Sequence, residues 1–226
     1  MRFQVVSERG LMLYLGDSID EKTSAQVQRA TAIIEAELAD AVIDLIPSYA
    51  SLLILFNPLT FSHPDIVRRA KRALEKSASL TELSSTTVTL PVYYATETGP
   101  DLEALAANAG LSIEATIALH AASVYRVYAI GFAPGFAYLG EVDERLAAPR
   151  KATPRAKVPA GSVAIADRQT AVYPAASPGG WNLIGRCPVK MFDPAHAPSM
   201  PVAVGDQVRF EPISREAFLD LGGDLT

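Results

Sequence analysis

The sequence has 226 residues, 49% hydrophobic and 20% charged, with 25 acidic and 20 basic side chains for a formal charge of −5. That balance excludes a disordered chain, and the longest apolar runs, such as Leu52 to Phe56, fall far short of the ~20 residues that span a bilayer. Cys187 has no partner for an internal disulfide, and His63, His120 and His196 lack metal-ligand spacing, so no metal site is expected.

At roughly 100–200 residues per domain, the length allows one large domain or two small ones. Glu8 puts a charge where a signal peptide would be apolar, so a cytoplasmic location is expected. Phe3 to Val6 and Leu11 to Leu15 are apolar runs around a polar turn, the pattern of a hairpin. From Thr23 to Asp40, Val27, Ala30, Ile34 and Leu38 recur at helical spacing and predict a helix with one buried face. Val42 to Ile46 and Leu52 to Phe56 read as two buried strands around the turn at Pro47. Ser62-His63-Pro64-Asp65 then opens a second helix with Ser62 as N-cap, buried through Ile66, Ala70, Ala73 and Leu74. With a strand from Thr86 to Tyr94, the order is ββαββαβ, which predicts a ferredoxin-like α/β domain over residues 1–90.

Beyond Pro91 a helical pair comes first, bounded by Pro100-Asp101 and joined at Gly110 and Ser112. Ten of the sixteen prolines and seven of the fourteen glycines then lie between Gly131 and Pro201, a density that breaks helices and predicts a barrel of short strands. The expected strands are Val124 to Phe132, Val163 to Ala166, Thr170 to Tyr173, Asn182 to Gly185, Val189 to Phe192 and Gln207 to Glu211. The fold class is therefore α+β, with a barrel domain over 91–226.

Phosphate loops, dinucleotide fingerprints, zinc-protease helices and nucleophile elbows are all absent as motifs. Charge placed among glycine and proline stands out instead. Between Pro149 and Lys190 the basic residues are Arg150, Lys151, Arg155, Lys157, Arg168, Arg186 and Lys190, against Asp167 alone, a net of +6 in a chain that is −11 elsewhere. Such a patch suits a carboxylate or phosphate, since guanidinium pairs with both in bidentate fashion. A solvated loop face is the competing reading for each residue, and nucleic acid is disfavoured by the negative total charge.

Four loops surround this charge: 131–140, 149–155, 158–163 and 177–186. Their candidate ligand contacts are Gly131, Phe132, Pro134, Gly135, Phe136 and Tyr138 in the first, with Gly161 and Ser162 in the third and Gln169 and Thr170 after it. The fourth loop adds Ser177, Pro178, Gly179, Gly180 and Trp181. Glycine allows close backbone approach and proline stiffens a loop, so these segments suit preorganised ligand walls. Core packing competes for the aromatics and is favoured for Phe132 at its strand end, and a strand-start hydroxyl is favoured for Ser162.

These segments, with Val92-Tyr93-Tyr94, Gly99-Pro100-Asp101-Leu102, Leu119-His120, Tyr125-Arg126-Val127-Tyr128, Phe192-Asp193-Pro194 and Gly205-Asp206-Gln207-Val208-Arg209-Phe210, resemble the family of 5-oxoprolinase B subunits (PxpB), also called the KipI or allophanate hydrolase subunit 1 family. Ala137 and Glu141 depart from its commoner Pro and Gly. The resemblance implies a cyclophilin-like barrel in the second domain. It further implies work beside a larger partner, the C subunit, and a third, the A subunit, in a complex that uses ATP with Mg2+ to open 5-oxo-L-proline to L-glutamate. Carboxyl transfer with biotin from a separate protein and inhibition of a sensor histidine kinase are the family's other implied roles. For such a reaction, Arg150, Arg155 and Arg186 are candidate holders of a substrate carboxylate or phosphate. His120 is a candidate proton carrier, with a helix-end histidine satisfying a carbonyl as the alternative.

Overall fold

The computed structural model describes residues 1–76 and 86–225. The chain divides into two units, Met1–Ser84 and Ser85–Thr226.

In the first unit, β1 (Arg2–Ser7) and β2 (Gly10–Tyr14) form the expected hairpin, followed by α1 (Glu21–Glu37), β3 (Val42–Ser48), β4 (Ser51–Phe56) and α2 (His63–Lys76). The sheet order is β1-β2-β4-β3, with every neighbouring pair antiparallel. Since β2 and β3 both run opposite to β4, which lies between them, β2–α1–β3 is a split βαβ unit. Alternate residues Leu11, Leu13, Leu52, Ile54 and Phe56 meet Ile34, Leu38, Ile66 and Ala70 in one core. α1 starts before the expected Thr23 because Asp20 caps it, accepting the Thr23 N–H at 2.8 Å. At α2, Ser62 and Asp65 bond reciprocally as a capping box.

The expected closing strand of a ferredoxin-like layer is not in this sheet. That segment, β5 (Thr87–Val92), belongs to the second unit, where it pairs in parallel with a strand some 120 residues later. The ferredoxin-like expectation therefore holds only for the first crossover, and a domain boundary at residue 90 would cut through a strand.

The second unit continues with α3 (Leu102–Ala109), α4 (Ile113–Ala122), β6 (Val124–Ile130), β7 (Ala137–Gly140), β8 (Arg155–Val158), β9 (Ser162–Ala166), β10 (Gln169–Val172), β11 (Ser177–Gly179), β12 (Asn182–Arg186), β13 (Gln207–Pro212) and α5 (Arg215–Asp220). Seven strands lie in the order β12-β9-β10-β7-β6-β13-β5, and β8 pairs with β11 as a separate ribbon. The two sheet edges meet where Tyr93 and Arg186 exchange backbone N–H···O bonds of 2.9 Å each, so the sheet is a nearly closed barrel with little open edge. Val189 to Phe192, expected as a strand, is irregular chain.

β9 is buried along its whole length and serves two cores. Val163 and Ile165 join Val127, Leu139, Val208 and Phe210 in the main core, whereas Ala164 and Ala166 join Phe136, Tyr173, Trp181 and Leu183 in a second cluster. Small alanines on that second side leave room for aromatic rings to pack closely on the sheet. The candidate site is built on these rings.

Candidate functional site

Phe136 is the centre of the aromatic layer. Its ring makes edge contacts with Phe132, Tyr138, Tyr173 and Trp181 at centroid distances of 5.3, 4.9, 5.2 and 5.6 Å. Over these rings opens a cleft of about 250 Å³ whose remaining walls are Arg150, Pro154, Pro178, Gly179 and Gly180. Arg150 is the one charged side chain in this lining, its guanidinium carbon 5.8 Å from the Trp181 ring centroid. At Gly179 any side chain would collide with the Tyr173 hydroxyl, so the ribbon strand β11 lies against that ring only as glycine.

The cleft thus gathers eight of the residues expected at a ligand site: Phe132, Phe136, Tyr138, Arg150, Pro178, Gly179, Gly180 and Trp181. Phe132 is not core, as favoured from its position in sequence. It is 66% exposed and has φ +71°, an unusual backbone for a bulky side chain. Gly131, Pro134 and Gly135 do not line the cleft; they build the turn that presents Phe132, closed by the Gly131 N–H donating to the Phe136 carbonyl at 3.0 Å.

Other expected site residues have structural posts. Gly161 takes φ +77° in the turn before β9, where a side chain would run into the Cys187 carbonyl. Ser162 is fully buried at the start of β9, Gln169 begins β10 opposite Gly140, and Ser177 pairs with Val158 in the ribbon.

His120 is the clearest correction. Its ring is wholly buried and stacks on Phe210 at 4.8 Å. The Thr170 hydroxyl donates to the Ala164 carbonyl at 3.0 Å, so it accepts from His120 Nε2–H at 3.0 Å, and Nδ1 accepts the Tyr94 hydroxyl at 2.7 Å. This chain of donors fixes one neutral tautomer, and burial pushes the imidazole down to about 3. A proton carrier needs access and a pKa near neutrality, and His120 has neither. Thr170 belongs to the same internal network and not to a ligand surface.

Two of the three arginines are also committed elsewhere. Arg186 is buried, and its guanidinium donates to the Asp224 carbonyl. Arg155 donates to Asp101 at 2.8 Å, and Lys151 donates to the same carboxylate at 2.6 Å. Asp101, 7% exposed at its side chain, also accepts the Leu183 N–H at 2.8 Å. Burial opposes its ionisation, but the Arg155, Lys151 and Leu183 hydrogen bonds outweigh that and hold it below the usual carboxylate range. Asp101 stands at a helix start, as expected from sequence, but its side chain makes no capping bond there and crosses to partners 50 to 82 residues away. The remaining cations are peripheral. Arg168 pairs with Glu141 at 2.7 Å, Lys190 lies 3.6 Å from Asp193, and Lys157 is exposed on β8.

The lining suits a small aromatic-stacking ligand with one negative group. It does not suit ATP with magnesium, which calls for several cations and oxygen ligands in one place. The cleft presents one cation and no carboxylate, and among the described residues no group of three or more His, Cys, Asp and Glu gathers as a metal site. Among the same residues no single helix is long and apolar enough to cross a membrane.

Residues 1–202 match the family model for the carboxyltransferase domain, subdomain C and D. The chain belongs to that family. It is 38% identical over 96% of its length to the 5-oxoprolinase B subunit of Bacillus subtilis, covering 96% of that protein, and 44% identical over 76% of its length to that of Escherichia coli O157:H7, covering 78%. Among solved structures, the crystal structure of TTHA0988 is similar with a TM-score of 0.79 and 39% identity, over 91% of this chain and 40% of that one. The chain therefore spans less than half of that longer relative.

Proposed function

We propose that this chain belongs to a cytoplasmic, ATP-dependent 5-oxoprolinase as the counterpart of its B subunit, and that its aromatic cleft is the complex's site for the small substrate. Its relatives' shared name supports the reaction, and the position of Arg150 over Trp181 in an otherwise uncharged cleft supports the site. A five-membered lactam is resonance-stabilised, so its oxygen must be converted to a leaving group, most simply by phosphoryl transfer from ATP. Arg150 is suited to hold the substrate carboxylate, and the glycine backbone at Gly179 and Gly180 lets a ring approach the wall closely. Nothing in the lining resembles a nucleophile with its base. Nucleotide binding is accordingly assigned to the larger partner and the third member of the complex, its C and A subunits, and the chain alone should be silent.

Co-expression with those two subunits tests this. 5-Oxoproline-dependent ATP hydrolysis should need all three chains, and full activity without this one would refute the assignment. The family's carboxyltransferase description supports a second reading, carboxyl transfer from a biotin carried by a separate protein. That reading predicts biotin-dependent turnover and no 5-oxoproline-dependent ATP hydrolysis.

A further inference from the structure

Asp101 lies outside the cleft's lining and holds two cations that flank it in the chain. Lys151 and Arg155 are the chain neighbours of the lining residues Arg150 and Pro154, and their side chains are 36% and 26% exposed. Both are bonded to Asp101, and Arg155 further approaches the Trp181 carbonyl at 3.5 Å. Arg155 is electrically close to the cleft: burial raises the Tyr173 phenol, and Arg150 and Arg155 both oppose that rise. The same segment is tied to the opposite wall by the Lys151 N–H donating to the Gly180 carbonyl at 2.7 Å and Asn182 donating to the Pro149 carbonyl at 3.0 Å. Asp101 thus engages a donor on each of these two side chains, and its charge offsets one of the three positive charges of Arg150, Lys151 and Arg155.

We propose that Asp101 is the specificity-determining residue of this cleft: by engaging Lys151 and Arg155 it leaves Arg150 as the one cation facing a ligand, and so selects small ring compounds with a single carboxylate over phosphate-bearing polyanions. The inference rests on the reading of the cleft as a substrate site. It adds which member of a substrate pair the site accepts, and why.

Trp181 is the sole tryptophan, so its fluorescence reports binding in the full-length chain without any turnover. The probes are 5-oxo-L-proline and inorganic triphosphate, titrated at low salt, with folding checked by thermal melting. Wild-type chain should bind 5-oxoproline and discriminate against triphosphate. Asp101→Asn keeps an acceptor for the Leu183 N–H but restores the third charge and frees the donors, so the affinity ratio should move toward triphosphate by about tenfold. Adding Lys151→Met and Arg155→Met to Asp101→Asn should move it back. Should Asp101→Asn fail to fold, Lys151→Met alone must shift the ratio the other way, further toward 5-oxoproline. A ratio unchanged in the folded variants overturns the role of Asp101 while leaving the substrate site standing. If neither probe perturbs Trp181 in any variant, the substrate site fails, and the inference with it.

Discussion

Replacing His120 by Gln separates a buried structural histidine from a catalytic one. The amide can still donate to Thr170 and accept from Tyr94, so the network survives, but the titratable group is gone. In the folded chain the imidazole has its pKa lowered from 6.5 to about 3, and in the unfolded chain it returns to the ordinary value. The unfolded state therefore takes up a proton first as the pH falls. The contribution of neutral His120 is fully present above the unfolded pKa and is lost progressively toward about pH 3. At pH 5 the loss is about 2 kcal/mol, rising to about 4 kcal/mol near pH 3. Urea denaturation from pH 7.5 to pH 5 should show the wild-type chain losing about 2 kcal/mol more than His120→Gln. Parallel curves for the two chains, or a His120 imidazole titrating near 6.5 in the folded protein, would contradict a neutral, buried His120 and reopen a role in proton transfer.

Other perturbations read single contacts. Arg155→Ala removes a charge-assisted bond to a buried carboxylate and should lower stability by about 1.5–3 kcal/mol in thermal melts; an unchanged melting temperature would show the ion pair to be idle. Gly179→Ala drives a methyl group into the Tyr173 hydroxyl, so it should displace that ring and weaken 5-oxoproline binding measured by Trp181 fluorescence, with binding at wild-type strength as the contrary result. Burial pushes the Cys187 thiol up to about 12, so thiol reagents at about pH 8 should modify it only on unfolding, and rapid labelling of the native chain would contradict its placement.

Local pattern carried the elements it could. The period of Val27, Ala30 and Ile34, the Ser62 cap and the apolar run of Leu52 to Phe56 each specify an element from neighbouring residues. The destination of β5 was not legible, because an apolar strand does not state which sheet it joins, and its partner β13 is distant in sequence. β7, β8 and β11 are three or four residues long and lie in or beside the glycine- and proline-rich loops, which read as turns rather than strands. At the site, the loop glycines and aromatics were visible as composition. The fate of the charges was not: Arg150, Arg155 and Arg186 look alike in sequence, and only the fold sets one over Trp181, one on Asp101 and one against Asp224. Asp101 stands out in sequence only within Gly99-Pro100-Asp101-Leu102 before a helix, and its pairing is hidden there because Lys151, Arg155 and Leu183 are all long-range partners.

Arg150→Ala in the assembled complex removes the one cation of the cleft. Arg150 is exposed and forms none of the buried ion pairs, so its removal should leave folding and assembly intact. Losing a charge-assisted hydrogen bond to the substrate carboxylate, about 1.5–3 kcal/mol, predicts a fall of about tenfold or more in kcat/KM for 5-oxoproline. A wild-type kcat/KM in the fully assembled Arg150→Ala complex would contradict the assignment of this cleft as the substrate site.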